Sequence, residues 1–228
     1  MLKHLKLIAG LLYPKLCIAC SNHEPVHDNL LCHSCWKEIP RFSDIGESRA
    51  LLEHRFPLIY GENISFYGLY LYSKKGGVQN ILHQIKYGGK SHIALELGRY
   101  LGKRIPLEKY NALIPVPLHY KKMRRRGYNQ AEIIAKGISE STGIPLIKDA
   151  LEKKMDTDSQ TKMDRSTRHA NVMKAFINKK PLPKSVNNVI LIDDVVTTGA
   201  TLDICSHLLK KESDINVDFG FIAMSISS

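Results

Sequence analysis

The stretch from residue 189 to residue 201 constrains the fold more than any other part of the sequence. An unbroken apolar run, 189–192, leads into the pair Asp193-Asp194, and a turn of Thr, Gly and Ala then opens a helical pattern. A continuous apolar run of this length is typical of a central strand in a parallel sheet. Amide groups at a helix N-terminus bind anions, and a glycine there lets the chain approach them closely. The stretch therefore predicts an α/β fold with an anion site at the carboxyl end of a central strand.

The sequence between residues 65 and 228 alternates strand patterns with helical ones, which predicts a mostly parallel sheet flanked by helices. Residues 41–62 are interpreted as a connector, 121–127 as a basic loop and 153–169 as a polar loop. The predicted strands are 65–73, 112–117, 145–147, 189–192 and 217–226, and the predicted helices are 78–87, 93–101, 129–141 and 201–211.

Two carboxylates beside an anion-binding turn suit a ligand that carries both a phosphate and hydroxyl groups, such as a sugar phosphate. The alternative is a plain strand-to-helix turn. The whole stretch resembles the phosphoribosyl pyrophosphate (PRPP) signature of type I phosphoribosyltransferases, which implies an acidic pair on the ribose hydroxyls and a loop around the 5′-phosphate. Mg²⁺ would enter with the pyrophosphate, because it prefers substrate phosphates and water as ligands. The residues that the resemblance assigns to PRPP are Asp193, Asp194, Val195, Val196, Thr197, Thr198, Gly199, Ala200 and Thr201.

The basic segment 121–126 holds five Lys or Arg residues in six positions. Three interpretations remain open: a solvated charged turn, a nucleic-acid patch with Tyr128 available for stacking, or a clamp in which Arg forks grip pyrophosphate.

Several further blocks resemble the ComF/GntX family, a competence-associated branch of the phosphoribosyltransferases. They are Lys86-Tyr87-Gly88-Gly89, Pro115-Val116-Pro117-Leu118, Arg125-Arg126-Gly127-Tyr128-Asn129-Gln130, and Thr157 to Gln160 with Arg168, Asn171 and Phe176. Met163 and Lys153-Lys154 depart from the family pattern, outside the phosphate turn. The pyrophosphate candidates are Lys86, Pro117, Leu118, Arg125 and Arg126.

Two functions follow from this resemblance. One is phosphoribosyl transfer to an unidentified acceptor with release of pyrophosphate, for which no general base stands out in the sequence. The other is a non-catalytic role in single-stranded DNA uptake, with PRPP as a ligand and a DNA-uptake component such as a competence helicase as a partner.

Four cysteines near the N-terminus form two C-x₂-C pairs separated by eleven residues: Cys17 and Cys20, then Cys32 and Cys35. This spacing predicts a closed, structural Cys₄ zinc site. Redox pairs and disulfides are the alternatives. The nearby His23, His27 and His33 are interpreted as surface residues, and Cys205 as a packed thiol.

Composition sets the remaining expectations. The 228 residues carry a net charge of +11, which favours anionic partners without choosing among them. We expect an N-terminal zinc module with connector at residues 1–62 and a phosphoribosyltransferase-like domain at 63–228. No apolar run approaches the ~20 residues of a membrane span. The segment 1–20 is interpreted as a short amphipathic helix rather than an export signal, so a cytoplasmic protein is expected.

Overall fold

The computed structural model describes residues 15–27, 30–45, 56–59, 64–73, 76–155 and 174–226. Its centre is a sheet of four parallel strands in the order β1-β6-β5-β2. These strands are β1 (Phe66–Tyr72), β2 (Ala112–Pro115), β5 (Asn188–Val196) and β6 (Asn216–Ser225). A separate pair of short antiparallel strands comprises β3 (Leu151–Lys153) and β4 (Phe176–Asn178).

The helices of the described chain surround this sheet. They are α1 (His33–Glu38), α2 (Gly77–Tyr87), α3 (Ser91–Gly102), α4 (Tyr120–Arg126), α5 (Gln130–Thr142) and α6 (Ala200–Glu212). Short 3₁₀ turns lie at Phe42–Ile45, Pro57–Ile59 and Leu107–Lys109. The predicted mostly parallel sheet flanked by helices is confirmed.

Strand β5 contributes side chains to two separate cores, because successive side chains of a strand point to opposite faces of the sheet. Ile190 and Ile192 pack into the core beneath α2, α3 and α5, whereas Val189 and Leu191 pack into the core that α6 covers. All four side chains are fully buried, as expected of a central strand with both faces covered. The same alternation separates the two aspartates that follow.

Helices α3 and α5 touch at two glycines. A Cβ on Gly137 would lie 2.1 Å from the Leu95 carbonyl oxygen, and one on Gly98 would lie 2.1 Å from the Ile134 carbonyl oxygen. The two backbones are therefore in direct contact, and a side chain at either position would force them apart.

The four-cysteine region packs against the main sheet and α2. Gln84 donates a hydrogen bond of 2.6 Å to the Ile18 carbonyl, and Asn80 donates one of 2.9 Å to the Ala19 carbonyl. Cys17 and Ile18 belong to the same buried cluster as the inner face of α2. The domain boundary at residues 62 and 63 stays a prediction.

The basic segment was wrongly interpreted as a loop, because it forms helix α4. Between His119 and Gly127 it contains no Gly or Pro, and Lys, Arg and Met all have good helix propensity. Strand β5 is also longer than predicted: it runs through both aspartates to Val196, paired with β6. Lys153, predicted in a loop, ends β3.

The remaining predicted segments compare with the structure as follows. The segment 145–147 forms only an isolated parallel bridge, between Leu146 and Leu113. The helix predicted at residues 1–20 is not found in its described part, because residues 15–20 end in a turn, and its remainder lies outside the described residues. Most of the polar loop and the family block from Thr157 to Asn171 also lie outside them. In the part of the chain that the structure describes, no helix is long and apolar enough to cross a membrane.

Candidate functional site

The acidic pair lies at the carboxyl end of β5, and its two members have different partners. Asp194 forms an ion pair of 3.1 Å with Lys86, the penultimate residue of α2. Both side chains of that pair are largely shielded from solvent, with 12% of Asp194 and 21% of Lys86 exposed. Limited solvent access strengthens such a pair relative to one on an open surface.

Asp193 lies on the α6 side of the sheet. Its Oδ1 accepts a hydrogen bond of 2.7 Å from the Asp194 amide. Burial, followed by the Asp194 charge, raises the pKa of Asp193 to about 7, although the Asp194 amide and two lysines, Lys86 and Lys153, counteract that rise. The pKa of Asp193 therefore lies near neutral pH.

The turn after β5 opens helix α6 through Gly199. This glycine has φ 80°, a left-handed conformation that residues with a side chain rarely adopt. Thr197 and Thr198 are exposed before it, while Ala200 and Thr201 are half-buried at the first helical positions. Their backbone amides belong to the helix end that carries partial positive charge. The turn therefore offers hydroxyl and amide groups to an anion beside the acidic pair.

Asp203 connects the first turn of α6 to the 3₁₀ turn at Pro57–Ile59. It is fully buried in the first turn of α6, and its two carboxylate oxygens accept hydrogen bonds of 3.2 and 3.1 Å from the Leu58 amide. The 3₁₀ turn at Pro57–Ile59 is thereby attached to the helix that begins at the candidate phosphate site.

Three of the pyrophosphate candidates lie at or against the end of α2, where Lys86 is followed by Tyr87. The Tyr87 ring, 55% exposed, lies 5.9 Å from the Arg125 guanidinium carbon and 5.3 Å from that of Arg126. The Tyr128 hydroxyl donates a hydrogen bond of 2.7 Å to the Ile85 carbonyl. The end of α2 therefore contacts the acidic pair through Lys86 and helix α4 through Tyr87.

Pro117 and Leu118 are half-buried and follow the end of β2, the strand that neighbours β5. The Val116 amide donates to the Ile192 carbonyl at 2.8 Å, and Asn129 donates to the Val116 carbonyl at 2.9 Å. These bonds fix the segment between β2 and α4 at the same edge of the sheet as the acidic pair.

Sequence reasoning missed the contribution of Lys153. Its positive charge acts on Asp193 and on the buried Cys205 thiol, and its ammonium lies 5.0 Å from the Phe176 ring. Lys153 lies in a polar stretch with no periodic pattern, so no sequence signal separated it from a solvated charge.

The four N-terminal cysteines converge and could hold a metal ion. Their sulfur atoms all lie within 4.8 Å of one another, and all five cysteines of the chain are free thiols. The Asn22 amide lowers the pKa of the Cys20 thiol to about 6, despite partial burial. Metal ligation requires the thiolate form.

The nearby histidines lie outside this ligand set. The His27 ring stacks on Trp36 with ring centroids 4.4 Å apart, and its Nε2 lies 3.4 Å from Nδ1 of His33.

Comparisons with known proteins identify relatives that are named for competence and DNA utilization. No family model matches the chain. Competence protein F of Haemophilus influenzae is 29% identical over 86% of this chain and 90% of its own length. Competence protein ComFC of Bacillus subtilis is 26% identical over 86% of this chain and 72% of its own length. DNA utilization protein YhgH of Escherichia coli K12 is 28% identical over 58% of this chain and 60% of its own length.

A solved purine phosphoribosyltransferase from Pyrococcus horikoshii covers 57% of this chain and 74% of its own, with a TM-score of 0.37 and 18% identity. The resemblance to ComF proteins predicted from the sequence motifs is confirmed by the competence-named relatives.

Proposed function

We propose that this chain binds PRPP at the carboxyl end of β5 and is a pentosyl-transferring glycosyltransferase that moves the phosphoribosyl group to an acceptor. The observation that carries this proposal is the juxtaposition of the acidic pair, the amide-rich turn before α6 and Lys86 at one edge of the sheet. Each group matches one part of PRPP: the acidic pair matches the ribose hydroxyls, the turn matches the 5′-phosphate, and Lys86 matches the pyrophosphate.

The residues divide the ligand among them. Asp193 and Asp194 take the ribose hydroxyls, and the turn from Thr197 to Thr201 takes the 5′-phosphate. Lys86, Arg125 and Arg126 take the pyrophosphate, for which the bidentate Arg fork is well suited. Mg²⁺ bound to the pyrophosphate would supply further charge neutralisation when present.

The reaction would be a displacement at the anomeric carbon. The bond from that carbon to the acceptor forms as the bond to the pyrophosphate oxygen breaks, and pyrophosphate leaves with the bonding electron pair. The residues of this site hold the reactants in line and stabilise charge on the leaving group, which is how enzymes accelerate such displacements.

Calorimetry of PRPP binding in the presence and absence of Mg²⁺ tests the site. The double variant Asp193→Asn/Asp194→Asn keeps the side-chain shape and removes the charges, so we expect it to fold and lose most Mg²⁺-dependent affinity. Asp149→Asn is the matched control, because Asp149 is an exposed carboxylate that pairs with Lys179 and Lys180. Wild-type affinity in the folded double variant would contradict the proposal.

A second candidate function is a non-catalytic role in DNA uptake with PRPP as a bound ligand. The names of the relatives, competence protein and DNA utilization protein, favour it. Single-stranded DNA or a DNA-uptake component such as a competence helicase would be the partner. A screen for pyrophosphate release against a panel of nucleobase and amine acceptors separates the two, because the non-catalytic protein releases none.

The four cysteines are proposed to hold a structural zinc ion, in a protein that functions in the cytoplasm. A tetrahedral site with Zn–S bonds of ~2.3 Å requires sulfur atoms ~3.8 Å apart. The Cys20 and Cys32 sulfur atoms are 3.8 Å apart. Reduced thiols of this spacing in the cytoplasm favour zinc over a disulfide.

A further inference from the structure

The basic helix α4 has two faces that differ in exposure. Tyr120, Lys121, Arg124 and Arg125 are exposed, whereas the three other residues of the helix are half-buried. At 3.6 residues per turn the exposed positions form one continuous arc of roughly 140°. The helix therefore presents an outward face, defined by these four residues, and an inward face.

The inward face contains the arginine that packs on the end of α2. Arg126 donates a hydrogen bond of 2.8 Å to Gln130, and its guanidinium lies over the ring of Tyr87, the residue that follows Lys86 in the chain. Arg125 lies at the border of the two faces, at a longer distance from Tyr87. One pyrophosphate at this edge therefore accounts for Arg126 and Arg125 but leaves Lys121 and Arg124 unexplained.

The charges of the outward face have no carboxylate partners within the described chain, where neither Lys121, Arg124 nor Arg125 forms an ion pair. Like charges three and four positions apart disfavour a helix. Lys121 has such neighbours at Arg124 and Arg125 on a helix of only seven residues. Repulsion among these charges weakens helix α4, and a bound polyanion would neutralise the charges and relieve that repulsion.

An exposed aromatic ring lies in the same arc. The Tyr120 side chain is 59% exposed, and its ring packs at 4.5 Å against the buried His119 ring, which restricts its movement. A positioned ring beside several cations matches the way proteins bind single strands, whose bases stack while cations contact the phosphates. A duplex cannot use the ring in this way, because its bases are already stacked.

We propose that the outward face of α4 binds single-stranded nucleic acid, with phosphodiesters on Lys121 and Arg124 and one base stacked on Tyr120. This site deepens the second candidate function and uses none of the residues that the proposed function assigns to PRPP. The basic segment then serves two ligands through two faces.

The test is the binding of a fluorescent (dT)₂₀ oligonucleotide by anisotropy over a range of salt concentrations. Lys121→Gln/Arg124→Gln removes two phosphate contacts, so we expect affinity to fall about tenfold and the salt slope to fall by about 1.4. Lys179→Gln/Lys180→Gln removes the same charge from an exposed site elsewhere and should change affinity less than twofold. Calorimetry should show unchanged PRPP affinity for Lys121→Gln/Arg124→Gln.

Stacking is tested separately at Tyr120. We expect Tyr120→Ala to weaken (dT)₂₀ binding about fivefold to a hundredfold, and Tyr120→Phe to restore it. Neither change should affect an abasic oligonucleotide of the same length, which a merely structural role of Tyr120 would not explain. A (U)₂₀ strand that binds equally well also supports the proposal and shows that the sugar is not read.

Three results would overturn the proposal. The first is wild-type (dT)₂₀ affinity in Lys121→Gln/Arg124→Gln, or a loss no greater than in the Lys179/Lys180 control. The second is equal binding of duplex and single-stranded DNA with no effect of Tyr120→Ala, which would indicate a general polyanion surface. The third is preference for phosphatidylserine vesicles over (dT)₂₀, which would assign the face to a membrane. PRPP affinity is measured in every variant, so failure here is distinct from failure of the PRPP site.

Discussion

At the scale of single residues, the two aspartates of the candidate site are neighbours with opposite electrostatic environments. Asp194 faces Lys86 across 3.1 Å, so its charge is compensated. Asp193 lies on the other face of the strand, where burial and the adjacent carboxylate oppose ionisation. The sequence predicts both residues as ligand contacts but cannot separate them, because their difference depends on which helix covers each face.

The raised pKa of Asp193 predicts a pH-dependent effect of its substitution on stability. The folded protein holds a proton on Asp193 up to about pH 7, while the unfolded chain releases it near 3.8. Stability from this group is therefore present below about pH 4 and lost as pH rises to about 7. Asp193→Asn removes the loss, so we expect its melting temperature to exceed that of the wild type at pH 8 by about 2–4 °C, for a gain on the order of 1 kcal/mol.

Thermal unfolding at pH 4.5 and pH 8, without Mg²⁺ or PRPP, checks this expectation. The advantage of Asp193→Asn should be much smaller at pH 4.5. Asp149→Asn is a control of opposite sign, because hydrogen bonds from Lys180 and Lys179 lower the pKa of Asp149. A uniform shift for Asp193→Asn at both pH values would show that Asp193 is already ionised at pH 4.5.

At the scale of elements, sequence periodicity predicts the buried strands and amphipathic helices, and it fails where charge dominates. Strand β5 and helix α6 are evident because each has a clear apolar pattern before and after the turn. Helix α4 has only Met123 as an apolar residue on its inward side, so its charges suggest a loop. Its helical form depends on backbone propensity and on the packing of its inward face against the rest of the chain.

The contact between α3 and α5 is an element-scale feature that apolar periodicity does not reveal. We expect Gly137→Ala to destabilise the protein by about 1–3 kcal/mol, because its Cβ would collide with the Leu95 carbonyl oxygen, which belongs to a rigid helix. Urea denaturation measures the loss. Lys136→Ala, an exposed substitution on the same helix, should change stability by less than about 0.5 kcal/mol. Equal midpoints for Gly137→Ala and the wild type would mean that the helices separate at no cost.

The four-cysteine region predicts a metal requirement. We expect close to one zinc per chain in protein purified without added metal, and its loss in Cys17→Ser/Cys20→Ser, because two of the four ligands are removed. The loss should also lower the melting temperature of the whole chain, since Cys17 and Ile18 share a core with α2. Cys205→Ala should keep its zinc, because Cys205 lies in α6 and outside the cluster. Elemental analysis that finds no metal in the wild type would refute the prediction.

At the scale of the whole molecule, the candidate site is assembled from segments far apart in the chain. Family motifs name Lys86, Arg125 and Arg126 as ligand candidates, but their meeting point depends on where α2 crosses the edge of the sheet. The structure brings the end of α2 between the acidic pair and α4, so that Lys86 contacts Asp194 while the next residue, Tyr87, contacts both arginines. The position of this helix end depends on how the buried face of α2 packs against the sheet. No local sequence pattern specifies that packing.

This arrangement predicts that Lys86 and Arg126 act on PRPP as one unit. If both contact the pyrophosphate, Lys86→Ala and Arg126→Ala should each weaken PRPP binding about tenfold or more, because each removes a charged contact. Ribose 5-phosphate lacks the pyrophosphate, so its affinity should change less than about threefold. In the double variant the two losses should not add, and the coupling should be about 0.5–3 kcal/mol, as for groups that share one partner. Calorimetry of the wild type, the two single variants and the double variant with each ligand completes this double-mutant cycle.

Lys90→Ala is the control for this cycle. Lys90 is an exposed lysine just beyond α2 that donates a hydrogen bond of 2.8 Å to Gln84, and it has no role in the proposed site. It should retain wild-type affinity for both ligands. If Lys86→Ala instead weakened PRPP and ribose 5-phosphate equally, Lys86 would act by orienting Asp194 toward the ribose rather than by contacting the pyrophosphate. Additive losses in the double variant would indicate that Lys86 and Arg126 contact separate parts of the ligand.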